Sequence, residues 1–128
     1  MAATDTQRPR PRTDSLGALH WVGIAAALVS AAVHFLLGAR MFPTGLGISF
    51  LLAGFGFVGA VALVVLDYRR RLVYAVGIPF TIVQIVLWYY VIFATTPRSF
   101  PADVGTLGAI DKIAQVVLVA VLVALLRS

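Results

Sequence analysis

A chain of 128 residues that is 61% apolar and only 12% charged has too little polar surface to cover a soluble globule, because soluble domains average about 25% charged residues. Its net charge of +5 is set against only five acidic residues, all of them aspartates, and the chain has neither cysteine nor glutamate. Those two absences exclude disulfides, thiolate zinc sites, iron–sulfur clusters and di-iron or general-acid chemistry based on glutamate. The class that remains is an all-α integral membrane protein.

A spanning helix needs roughly 20 apolar residues to cross a hydrocarbon core about 30 Å thick. Four segments qualify, over residues 16–38, 44–66, 72–95 and 106–126. The joints between them are short, which makes consecutive helices antiparallel neighbours. The expected fold is an antiparallel, up-down-up-down four-helix transmembrane bundle over residues 16–128, preceded by a tail over residues 1–15.

The tail, MAATDTQRPRPRTDS, is polar and punctuated by proline, which predicts disorder. Its Arg8, Arg10 and Arg12 are read as orientation signals, with docking to anionic headgroups as the alternative. The first span is too long for the ~7–15-residue core of a cleaved signal peptide and reads as a retained anchor. It carries Gly23, Ala27 and Ala31 at every fourth position, with Ala26, Ser30 and His34 on the adjoining row. The second span carries Ser49, Ala53, Gly56 and Ala60. Such small-residue stripes let two backbones approach inside a bilayer, where lipid tails are as apolar as leucine.

The joint after the second span contains Arg69, Arg70 and Arg71. With the tail and Arg127 these make seven basic residues on one side, against Arg40, Arg98 and Lys112 on the other. That excess predicts a cell-membrane protein with both termini in the cytoplasm. Trp21, Tyr68 and Tyr74 would then mark the inner interface, and Trp88, Tyr89 and Tyr90 the outer one. The third span places Gly77, Thr81, Gln84 and Trp88 on one face, and its Pro79 predicts a kink.

The fourth span opens TLGAIDKIAQVV, with two adjacent charges, Asp111 and Lys112. Lys112 lies about 100° further round the helix, and its long stem can snorkel to the surface. The shorter Asp111 must point inward, near the depth of His34. The expected polar cluster is His34, Ser49, Asp111 and Gln115, with Gln84 beneath. It reads either as a structural network fixing helix register or as a proton-titratable or ligand site. SLGALHW and TLGAIDK open the first and fourth spans alike, with Ser or Thr as an N-cap and a polar residue in the second turn. Haem ligation within one chain is excluded, since His20 and His34 stand roughly 21 Å apart on one helix. No metal or other cofactor is expected.

The strings FLLAGFGFVGAVALVVL, GIPFTIVQIVLWYY and IDKIAQVVLVAVL together resemble a family of small four-span haloarchaeal membrane proteins of unknown function. The resemblance covers roughly residues 16–126. It implies the four-span fold and a haloarchaeal source, and it carries no catalytic role. The leading expectation is a non-enzymatic accessory or scaffold subunit, in a homo-oligomer or a larger membrane complex. It is motivated by the stripes Gly23/Ala27/Ala31 and Ala53/Gly56/Ala60. The alternatives are a small proton-coupled transporter or channel using the polar cluster, and a binder of a lipid-soluble quinone or carotenoid held near Trp88 and Tyr89. The bilayer is the expected partner, and nucleic acid is not.

Overall fold

A computed structural model describes residues 13–128. Arg8, Arg10, Arg12 and most of the tail lie outside the described residues. A single 3₁₀ turn at Thr13–Ser15 leads into α1 (Ala18–Met41), α2 (Gly45–Val65), α3 (Arg70–Tyr89) and α4 (Thr106–Arg127). The last turn of α3 widens into a π-helical segment, Tyr90–Ala94. All four helices are long and apolar enough to cross a membrane by length and composition. The chain is a four-helix bundle, as its hydropathy predicts.

Local chemistry sets the helix ends. α1 begins after an extended Gly17, whose N–H donates to His20 Nδ1 at 3.0 Å. α4 likewise begins after Gly105, so Ser15 and Thr106 are not the caps. His20 is therefore the third helical residue of α1 and Asp111 the sixth of α4. The similar opening strings are thus read in different helical registers. α2 has a true side-chain cap: Thr44 Oγ1 accepts from the Gly47 N–H at 3.1 Å and donates to the Met41 carbonyl at 2.6 Å. α3 continues through Pro79, which lies inside the helix.

The residues expected to set orientation also do structural work at the end that gathers both termini. Arg70 Nε donates to the Val64 carbonyl at the end of α2 (2.8 Å) and pairs with Asp67 at 3.3 Å. Arg70 also donates to Ser15 Oγ at 2.8 Å, tying the segment before α1 to the α2–α3 joint. Arg71 donates to the Leu126 carbonyl in the last turn of α4 at 2.7 Å. Both guanidiniums sit where orphan carbonyls and the negative end of the helix dipole favour a cation. Arg69 adopts a left-handed φ of 52° and lies 5.6 Å above the Tyr68 ring.

Around the bundle, α1 packs on α2 and α4, and α4 packs on α3, while α2 and α3 meet only slightly. The close approaches follow the small residues. A side chain added at Gly23 would press on Val121 of α4, and one at Gly56 would strike Phe80 of α3. Ala27 and Ala31 are buried in the core with Phe57, Tyr74, Ala114 and Leu118. Ala53 and Ala60 face cavities inside the bundle. The α1 stripe is thus occupied within the chain, while the α2 stripe stays partly open. Tyr74, expected at the membrane interface, is instead only 5% exposed. It begins the inward face of α3, which keeps its ring away from lipid.

The tightest point is the α1–α2 hairpin, where a Cβ on Gly47 would lie 2.6 Å from the Met41 carbonyl carbon. Backbone cannot give way as a flexible side chain can. Gly47→Ala should therefore destabilise the protein by about 1–3 kcal/mol. Gly59→Ala, where nothing lies within 4 Å, should be neutral or stabilising by up to about 1 kcal/mol. Equilibrium unfolding in detergent micelles, followed by circular dichroism, compares the two.

Candidate functional site

Inside hydrocarbon an ionised side chain must find its partners within the protein. Asp111 stands in the second turn of α4, where the positive end of the helix dipole favours a carboxylate, and it is 4% exposed. Its Oδ1 accepts from Ser30 Oγ of α1 at 2.6 Å. Its Oδ2 accepts from Lys112 Nζ at 2.8 Å. Lys112 therefore does not snorkel outward: its four-carbon stem folds back, Nζ also donates to Gln115 Oε1 at 2.6 Å, and it lies 5.4 Å from the Trp88 ring. Adjacent helical residues diverge in direction, but a nearby buried carboxylate outweighs the entropy of the bent chain.

Gln115 is fully buried and uses both amide hydrogens, on Ser30 Oγ at 3.3 Å and on Gln84 Oε1 of α3 at 3.0 Å. Gln84 Nε2 in turn donates to the Phe80 carbonyl at 3.1 Å. His34 Nδ1 lies 2.8 Å from the Ser30 carbonyl, which can only accept, so Nδ1 carries the proton. The same nitrogen is 3.6 Å from Asp111 Oδ1. The His34 ring is held edge-on between Phe50 and Phe57, with centroids 5.3 and 5.7 Å away. No described residue pairs with its Nε2.

Four of the five expected cluster residues thus come together: His34, Gln84, Asp111 and Gln115. Ser49 does not join them, because its hydroxyl bonds back to the Gly45 carbonyl at 2.8 Å. The hub that sequence reasoning missed is Ser30, which is fully buried and touches Asp111, Gln115 and His34. The signal was present: Ser30 is one helical turn from His34 on the same face of α1.

Beside this network lies a cavity of about 300 Å³. His34, Asp111, Lys112, Gln84 and Trp88 form its polar flank, and Ser49, Phe50 and Ala53 of α2 face them. Its rim includes the exposed Leu46 and Ser49 of α2 and Leu87 and Val91 of α3. The cavity therefore opens sideways, through the seam where α2 and α3 barely meet. Tyr89 is not part of it, and packs instead on Phe93 and Phe100. The chain belongs to the family of unknown function DUF7475. The match spans residues 6–126, which takes in all four helices but for the last residue of α4. Comparison with the curated proteins and with the solved structures finds no match.

A second cavity of about 60 Å³ lies nearer the terminal end, lined by His20, Gly56, Phe57, Tyr74 and Thr81 among others. The Tyr74 hydroxyl and Thr81 Oγ1 are buried without hydrogen-bond partners among the described residues. Phe57 contacts both His34 and Phe80, and so stands between this space and the polar network. Among the described residues no group of three or more His, Cys, Asp or Glu side chains could hold a metal ion.

The Asp111–Lys112 pair makes an asymmetric prediction. Asp111→Asn strands the Lys112 ammonium and should cost about 3 kcal/mol or more. Asp111→Asn combined with Lys112→Met removes both charges and should recover most of that loss. Unfolding midpoints of the single and double variants in micelles provide the check.

Proposed function

We propose that this small multi-pass membrane protein is a non-enzymatic binder of an amphiphilic molecule dissolved in the bilayer. The molecule would enter between α2 and α3. The observation that carries this reading is the cavity of about 300 Å³ that opens at that seam and ends on the charged network. Ligand sites are typically roughly 300–1,000 Å³, mostly apolar, with a few convergent polar groups. This cavity has that composition, and a lateral mouth suits a ligand that never leaves the membrane. At the low end of the range it would hold a head group and the first part of a chain.

The accessory-subunit reading drew on small-residue stripes available to a partner, and the α1 stripe is taken up inside the chain. A homo-oligomer built on other faces is compatible with ligand binding. Non-enzymatic action is supported by the state of the nucleophile. Ser30 donates to Asp111 rather than to a histidine base, and it is sealed from the cavity by full burial. A plasma-membrane location with cytoplasmic termini accords with the arginine excess at the terminal end. In a haloarchaeal source, high salt would screen the exposed arginines while leaving the buried network nearly untouched.

Native mass spectrometry on protein gently extracted from its own membranes tests the reading. The expected spectrum contains a stoichiometric small molecule that disappears in Ala53→Phe, whose ring fills the cavity from α2, while helix content is retained. A bare protein mass, with no retained amphiphile under any gentle condition, would refute the proposal.

A further inference from the structure

The donors and acceptors left over on the cavity wall specify the head of the ligand, an inference that rests on the binding reading above. With Nδ1–H committed to the Ser30 carbonyl, the neutral form of His34 carries its lone pair on Nε2. The residue is 6% exposed and lines the cavity, where an occupant can meet this lone pair. Lys112 has used two of its three N–H groups, on Asp111 and Gln115. Gln84 has used one of two, on the Phe80 carbonyl. The wall therefore presents one acceptor next to donors, around a network whose formal charge is zero while Asp111 and Lys112 are paired and His34 is neutral.

We propose that the cavity binds a long-chain carboxylic acid, head inward and tail through the α2–α3 seam. The acid enters from lipid in its neutral form, which is the form that crosses hydrocarbon without the cost of a bare charge. Its O–H bond breaks and an Nε2–H bond forms on His34, leaving a carboxylate and an imidazolium. The carboxylate accepts from Lys112 and Gln84. The imidazolium faces Asp111 across the 3.6 Å separation of Nδ1 and Oδ1. Two negative and two positive groups then alternate, and the site is neutral before and after. A quinone or an ester satisfies the donors but leaves Nε2 bare, which a buried site penalises. An alcohol brings one oxygen where the wall offers donors for two.

The test uses the full chain in phospholipid nanodiscs with Trp21→Phe, a change on the exposed face that leaves Trp88 as the single tryptophan. Probes are a long-chain acid brominated along its chain, the corresponding methyl ester and the corresponding alcohol, read by quenching of Trp88. The acid should bind about tenfold or more tighter than the ester, and His34→Phe should abolish that preference. On addition of the acid alone, the ¹⁵N signals of His34 should move to the imidazolium pattern. Equal binding of acid and ester, equal binding of acid and alcohol, or a neutral His34 in the acid complex overturns the carboxylic-acid inference while leaving the cavity a binding site. Absence of quenching by all three probes overturns the binding reading itself.

Discussion

Everything distinctive in this bundle follows from one buried carboxylate. With lipid outside and no glutamate anywhere in the chain, Asp111 has no second acid to share its role, and an uncompensated charge at that depth is among the costliest groups a membrane helix can carry. Compensation comes from three directions: a hydroxyl on α1, the neighbouring ammonium on α4, and the field of the α4 N-terminus. Gln115 then closes the circle, spending its oxygen on Lys112 and its amide on Ser30 and Gln84. Buried polar groups of this kind hold register because each alternative register leaves one of them unpaired.

The same circle explains where the bundle is weak. It joins α1, α3 and α4, and α2 contributes no member to it. α2 is held by shape instead: by Gly38 and Gly47 at the hairpin with α1, and by Gly54 beneath the Phe35 ring. Polar bonds draw α3 toward α4, and glycine packing draws α2 toward α1. The two pulls diverge, and the seam between α2 and α3 opens at the depth of Gln84 and Ser49. The cavity is the geometric remainder of two different cohesive mechanisms acting on opposite sides of the bundle.

This accounts for what could be read in advance. Span number and length follow from hydropathy, which needs no tertiary knowledge, and depth along each helix follows from a fixed rise per residue. Those two quantities suffice to bring His34 and Asp111 to one level, with Gln115 and Gln84 close beneath. They do not say which neighbours are tight. Short joints predicted α2 beside α3, but chain connectivity says nothing about how closely the two pack, so the cavity was illegible. Ser30 was read as a spacer in a small-residue row because a serine's packing and bonding roles look identical in sequence. Lys112 was sent outward because its long stem can snorkel, yet the same length lets the stem turn back to the buried Asp111.

The arginines show why charge at a helix end is ambiguous evidence. α2 and α4 both finish at the terminal end of the bundle, so two sets of unpaired carbonyls and two negative dipole ends gather there. Arg70 and Arg71 each bond to one of those termini. A cation would be favoured at these positions by the protein alone, whatever the membrane around it. In an up-down-up-down bundle, helix capping gathers cations at the end that holds both termini in either orientation, so arginines there report the fold before they report the membrane.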